Sequence, residues 1–124
     1  MKFSLVPTFP AVAHMSWPDE SKPGVVRKFA FDCRFKAVSN DPAAREELER
    51  KQNEEGGVYG LLEQVLVSVK LPDTIEPVDE DDQPMEALDW VKRNAIAGSA
   101  AAVAFWDVIN RDVEAKNSKR SRGR

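Results

Sequence analysis

With 124 residues, 42% of them hydrophobic and 31% charged, the chain suits one globular domain with a modest core and is too apolar to remain disordered. The single cysteine, Cys33, excludes an internal disulfide, and the net charge of −3 hides two opposite segments, an acidic stretch from Asp73 to Glu86 and a basic end. The opening MKFSLVPTFP breaks its apolar run at Pro7 and Pro10, so no signal peptide is expected and a cytosolic setting is the default.

Lys2 to Val6 and Ala11 to Trp17 read as short extended segments separated by Pro7-Thr8-Phe9-Pro10, where two prolines forbid a helix and a central strand. Trp17 to Gly24 is turn chemistry and predicts a hairpin or longer loop. Val25 to Val38 then alternates, with Val25, Phe29, Phe31, Cys33, Phe35 and Ala37 on one face and Lys28, Asp32, Arg34 and Lys36 on the other. Such a strand belongs in an antiparallel sheet covered on one side only.

Ser39-Asn40-Asp41-Pro42 predicts the cap and first turn of a surface helix reaching about Glu54. Pairs at i+4 support it (Arg45/Glu49, Glu46/Arg50, Glu47/Lys51), while Ala44 and Leu48 are its only clear apolar contacts. After Gly56-Gly57, Val58, Leu61, Leu62, Val65, Leu66 and Val69 fall at helical spacing, which predicts a helix over Val58–Val69. Val65 to Lys70 taken alone also reads as a strand. Pro72 ends this element, and Leu71 to Gln83 is an acidic connector.

The C-terminal arm, Pro84 to Lys116, organises the rest. Asp79 to Asp82 followed by Pro84 predicts a helix start, because acids favour the positive end of the helix dipole and proline fits the first turn. Met85, Leu88 and Val91 share a face, Asn94 is a left-handed cap or kink, and Ala95 to Ala115 is a second helical run. Ala100 to Trp106 is apolar nearly all round, yet too short to span a bilayer between Arg93 and Asp107. Two readings stand for this arm: a central core helix, or a docking face for a partner helix. In the second, Ala97, Ala101 and Ala104 admit a client helix closely and Phe105, Trp106 and Ile109 anchor it. The same apolar girdle predicts a homo-oligomer.

The expected fold is therefore α+β, a small antiparallel N-terminal sheet or hairpin packed with three to four C-terminal helices, as one domain over residues 1–115. Residues 116–124 carry five bases and no acid, which leaves −8 for the body once they are taken from the total of −3. They read as a solvated, disordered tail. Catalytic material is sparse: His14 is the only histidine and Cys33, alternating with Phe31 and Phe35, points to the core. Asp79-Glu80-Asp81-Asp82 lacks the glycine and spaced glutamate of a calcium loop, and no phosphate-binding glycine loop or zinc spacing occurs. No enzyme, metal or cofactor is expected.

Across nearly its whole length the chain resembles the tail assembly chaperones of long-tailed bacteriophages. The resemblance rests on Lys2-Phe3 and Pro7-Thr8-Phe9, the Phe29 to Lys36 strand, the charged Pro42 to Glu54 helix and Leu61-Leu62-Glu63-Gln64-Val65-Leu66-Val67. It continues in the acidic connector, Glu86-Ala87-Leu88, the alanine-rich Ala100 to Phe105 and the basic tail with Lys116-Asn117. Ser68-Val69 stands where the family usually has glycine-tryptophan. The resemblance implies a non-enzymatic protein that binds the tape measure protein, keeps it soluble and helps bring tail tube subunits to it, in the host cytoplasm and absent from the mature virion. The alternatives are a minor structural protein of the phage tail and a nucleic-acid-binding protein acting through its basic tail.

Overall fold

The structure is a computed structural model that describes residues 7–37, 42–54 and 57–122, with side chains in those spans except at 54 and 112–122. It is α+β, as expected: strands β1 (Thr8–Pro18) and β2 (Val26–Lys36), helices α1 (Pro42–Glu54) and α2 (Gly57–Val65), strand β3 (Leu66–Lys70), then helices α3 (Ala87–Arg93) and α4 (Ala95–Arg122). The antiparallel sheet has the order β1-β2-β3, so among the described residues β1 is an edge. The expected boundary at residue 116 falls within the span of α4, and the expected cap at 39–41 lies outside the described residues.

Two prolines sit within β1 because of how an antiparallel ladder alternates. The N–H of Ala37 bonds the carbonyl of Pro7 at 2.9 Å and the N–H of Asp19 bonds that of Val25 at 2.9 Å. Odd-numbered residues of β1 thus face β2 with their backbone polar groups, and even-numbered ones face away. Pro10 and Pro18 are even, so neither removes a ladder bond. The hairpin turn is tied by the Asp19 carboxylate, which accepts from the Ser21 N–H at 2.9 Å and hydroxyl at 2.7 Å. These bonds, the hydroxyl first, hold the Asp19 carboxyl below the usual carboxylate range. Gly24 makes the return with φ +78°, a conformation side chains resist.

Side-chain alternation decides the two sheet faces. Ala13, Met15, Phe31, Cys33 and Phe35 are buried on one, while Val12, His14, Lys28, Asp32 and Arg34 are exposed on the other. The expected one-sided sheet is present. α4 lies on the buried face, where Phe105 sits 5.3 Å from the ring of Phe35 and 6.1 Å from that of Phe9, centre to centre. Leu61, Leu62, Val65, Leu66 and Val91 complete the core.

Two expectations about element ends need correction. The Val58–Val69 helix stops at Val65, and Leu66–Lys70 pairs with β2 instead. A bulge opposite Arg34 and Phe35 inserts one residue, so the inward-facing Leu66 and Val69 stand three apart, the same spacing a helix would give. Likewise Asp79 to Pro84 is not a helix start. The Asp79 carboxylate accepts from the N–H groups of Asp81 (2.8 Å) and Gln83 (3.0 Å), and Val78 bridges Pro84, which closes a turn. Helix α3 begins three residues past Pro84, at Ala87.

Asn94 is extended (φ −82°, ψ 127°), not left-handed. Its N–H bonds the Trp90 carbonyl at 2.8 Å, ending α3, and its side-chain oxygen accepts from the N–H groups of Ile96 and Ala97, both at 3.0 Å, starting α4. One residue thus caps two helices.

Candidate partner-binding surfaces

A protein-binding surface needs exposed apolar side chains on a rigid element, so each proposed position on α4 must be placed by burial. Ala97, Ala101 and Phe105 are 0% exposed and Ala104 is 8% exposed; all four belong to the core of the single chain. Trp106 and Ile109 are half-buried against that core. Four of the six positions are therefore closed to a client in this structure, and the core-helix reading describes them. The small residues do admit a backbone closely, but it is the protein's own: a Cβ added at Gly98 would lie 3.0 Å from the Val91 carbonyl oxygen of α3.

Sequence reading missed the opposite flank of α4. Val103 is 60% exposed, the most open large apolar residue described. Ile96 and Ala100, both half-buried, precede it at i−7 and i−3, and Trp106 borders the strip at i+3. The signal was present in the all-round apolarity of Ala100 to Trp106, which leaves Val103 exposed between Ser99 and Asp107 at i−4 and i+4.

Trp106 also marks where α1 meets α4. Its indole N–H donates to Gln52 Oε1 at 2.7 Å, and Arg45 Nη2 donates to Asn110 Oδ1 at 2.8 Å. The expected Arg45/Glu49 partnership is thus replaced by a bond across to α4. Along α1 itself Arg50 pairs with Glu47 at 2.7 Å, an i,i+3 spacing, and the bond lowers the Glu47 carboxyl.

Two hollows lie elsewhere. One of about 520 Å³ is bounded by Val78, Asp79, Asp81, Met85, Trp90 and Arg93. The other, about 460 Å³, runs between β1 (Pro10, Val12, His14) and α4 (Ala104, Asp107, Val108, Arg111). Among the described residues no three His, Cys, Asp or Glu side chains come together as a metal-binding group. Cys33 is buried, and burial first, with the Asp32 charge second, pushes its thiol up to about 12, so it is protonated at neutral pH. No helix among the described residues is long and apolar enough to cross a membrane.

No family model, curated protein or solved structure matches the chain.

Proposed function

We propose that this protein is a non-enzymatic tail assembly chaperone of a long-tailed bacteriophage, which holds a helical segment of the tape measure protein and aids tail tube assembly in the host cytoplasm without entering the virion. The observation that carries the reading is the order in which the resembling motifs fall on the fold. Pro7-Thr8-Phe9 opens β1, Phe29 to Lys36 is β2, Pro42 to Glu54 is α1, Leu61 to Val67 spans the α2–β3 junction, and the alanine-rich run is the heart of α4.

The client surface in this proposal is the strip Ile96, Ala100, Val103 and Trp106, of which Val103 is exposed and the other three are half-buried. These residues recur at i, i+4, i+7 and i+10, the pattern by which one helix receives another. Burying Val103, 60% exposed, in such a contact is worth about 1–2 kcal/mol, and the half-buried Ile96 adds less. The test is co-expression with a helical fragment of a tape measure protein, scored by soluble fragment. Val103→Asp is expected to lose most of the soluble fragment while the melting temperature stays near wild type, since an exposed substitution changes stability by only about ±0.5 kcal/mol. Undiminished solubilisation by both Val103→Asp and Ile96→Asp removes the strip as the client surface, and no solubilisation by the wild-type chain removes the chaperone reading.

A further inference from the structure

We propose that the free edge of β1 pairs antiparallel with β1 of a second copy of this chain, joining the two sheets across a twofold axis near His14 into one six-stranded sheet. The occupant is another copy because both the ladder and the flanking charges are self-complementary.

The ladder comes first. Even-numbered residues of β1 face away from β2, so the N–H groups of Val12, His14 and Ser16 point to the open edge, where no described residue meets them. An open edge invites another strand unless charge or proline defends it. β1 contains no Asp, Glu, Lys or Arg, and its edge-facing prolines, Pro10 and Pro18, stand four residues to either side of His14. In a twofold register centred on His14, Val12 faces Ser16 of the second copy, and each exchanges N–H and carbonyl with it. His14 faces its own equivalent. Pro10 then lies opposite Pro18, so neither strand presents an N–H there and the ladder ends at both sides. The prolines therefore bracket the pairing rather than blocking it, and the twofold use of one edge closes it at two copies.

The flanking helix supplies the charge match. α4 borders this edge through Ala104, Asp107, Val108 and Arg111, which line the 460 Å³ groove with β1. Neither Asp107 nor Arg111 has an ion-pair or side-chain hydrogen-bond partner among the described residues. In this dimer the two α4 helices run in opposite directions across the axis, and the contact by which it is tested is Asp107 of one copy with Arg111 of the other, made twice. An unrelated strand would satisfy the backbone but not this reciprocal pair.

The proposal is tested on the full chain alone by sedimentation equilibrium across the micromolar range, so failure of the client-binding reading does not touch it. Wild type is expected to be a dimer. His14→Pro removes the central edge donor without touching the β2 ladder and is expected to give a folded monomer. Asp107→Arg is expected to weaken dimerisation roughly tenfold or more, and the double variant Asp107→Arg/Arg111→Asp to restore it. This pair of exposed helix substitutions decides the matter should His14→Pro fail to fold. A wild-type monomer throughout the range overturns the proposal. So does a dimer whose affinity is unchanged by the Asp107→Arg reversal.

Discussion

Helix α4 is joined to the molecule by two seams of different chemistry. Against the sheet the seam is apolar: Phe9, Phe35 and Phe105 pack ring on ring, the alanines at 97 and 101 let the helix down onto its neighbours, and among the described residues no polar or charged one is buried. Against α1 the seam is carried by two side-chain hydrogen bonds, Trp106 to Gln52 and Arg45 to Asn110. The second is imperfect, since Arg45 Nε is enclosed without a partner among the described residues. Apolar area stabilises in proportion to what is removed from water, whereas an intramolecular hydrogen bond nets only about 0.5–1.5 kcal/mol because water is given up to make it. The contrast teaches that α4 is fixed more firmly to the sheet than to α1, which packs on α2 and sets Leu48 against the core.

The largest way to break this contrast is Phe105→Ala. The ring is 0% exposed and touches three other aromatic rings, so its loss is expected to cost about 3–5 kcal/mol, read from the urea midpoint. A cost below about 1 kcal/mol would mean that the apolar seam does not hold the fold.

Alkali sharpens the same seam. Cys33 lies beneath α4 with its thiol raised from 9.0 to about 12. The folded state therefore keeps the proton that the unfolded chain releases above about 9, and stability is fully present below that pH and falls as pH rises toward 12. Near pH 10.5 the loss due to this group is expected to be about 2 kcal/mol. The measurement is the difference in pH dependence between wild type and Cys33→Ala, which subtracts Tyr59, whose hydroxyl is also raised, first by its hydrogen bond to Glu63. Equal slopes in the two proteins would show that the thiol is not shielded.

The difference between the seams was legible in the sequence only in part. Strict alternation from Phe29 to Phe35 revealed β2 and its inward face, because a two-residue period has no helical counterpart. The thin apolar content of α1 revealed its surface position for the same kind of reason. Spacing misled at β3, where a bulge gave Leu66 and Val69 a helix-like interval, and at Asp79, whose carboxylate closes a turn in place of starting a helix. The candidate site was legible only as two alternatives, a core helix or a docking face. Small and aromatic residues on one helix show that something packs closely there, but periodicity carries no sign of whether that neighbour is α3 and the sheet or a second protein. Only the placement of Val91 against Gly98 and of Phe35 against Phe105 tells which face is spent.

The smallest expected effect belongs to the polar seam. Gln52→Ala removes the acceptor of the Trp106 N–H, and because both residues are only half-buried the freed donor can be met by water, so the global cost is expected to be about 1 kcal/mol. Its signature is local. If these two bonds are what keep α1 on α4, losing one should speed hydrogen exchange along Pro42–Glu54 while the amides of α4 between Ala97 and Phe105 keep their protection. Adding Arg45→Ala should extend that contrast, since the remaining anchor to Asn110 is then gone as well. Equal loss of protection in α1 and α4 would instead show that the two helices open together, and that the apolar seam depends on α1 rather than standing without it.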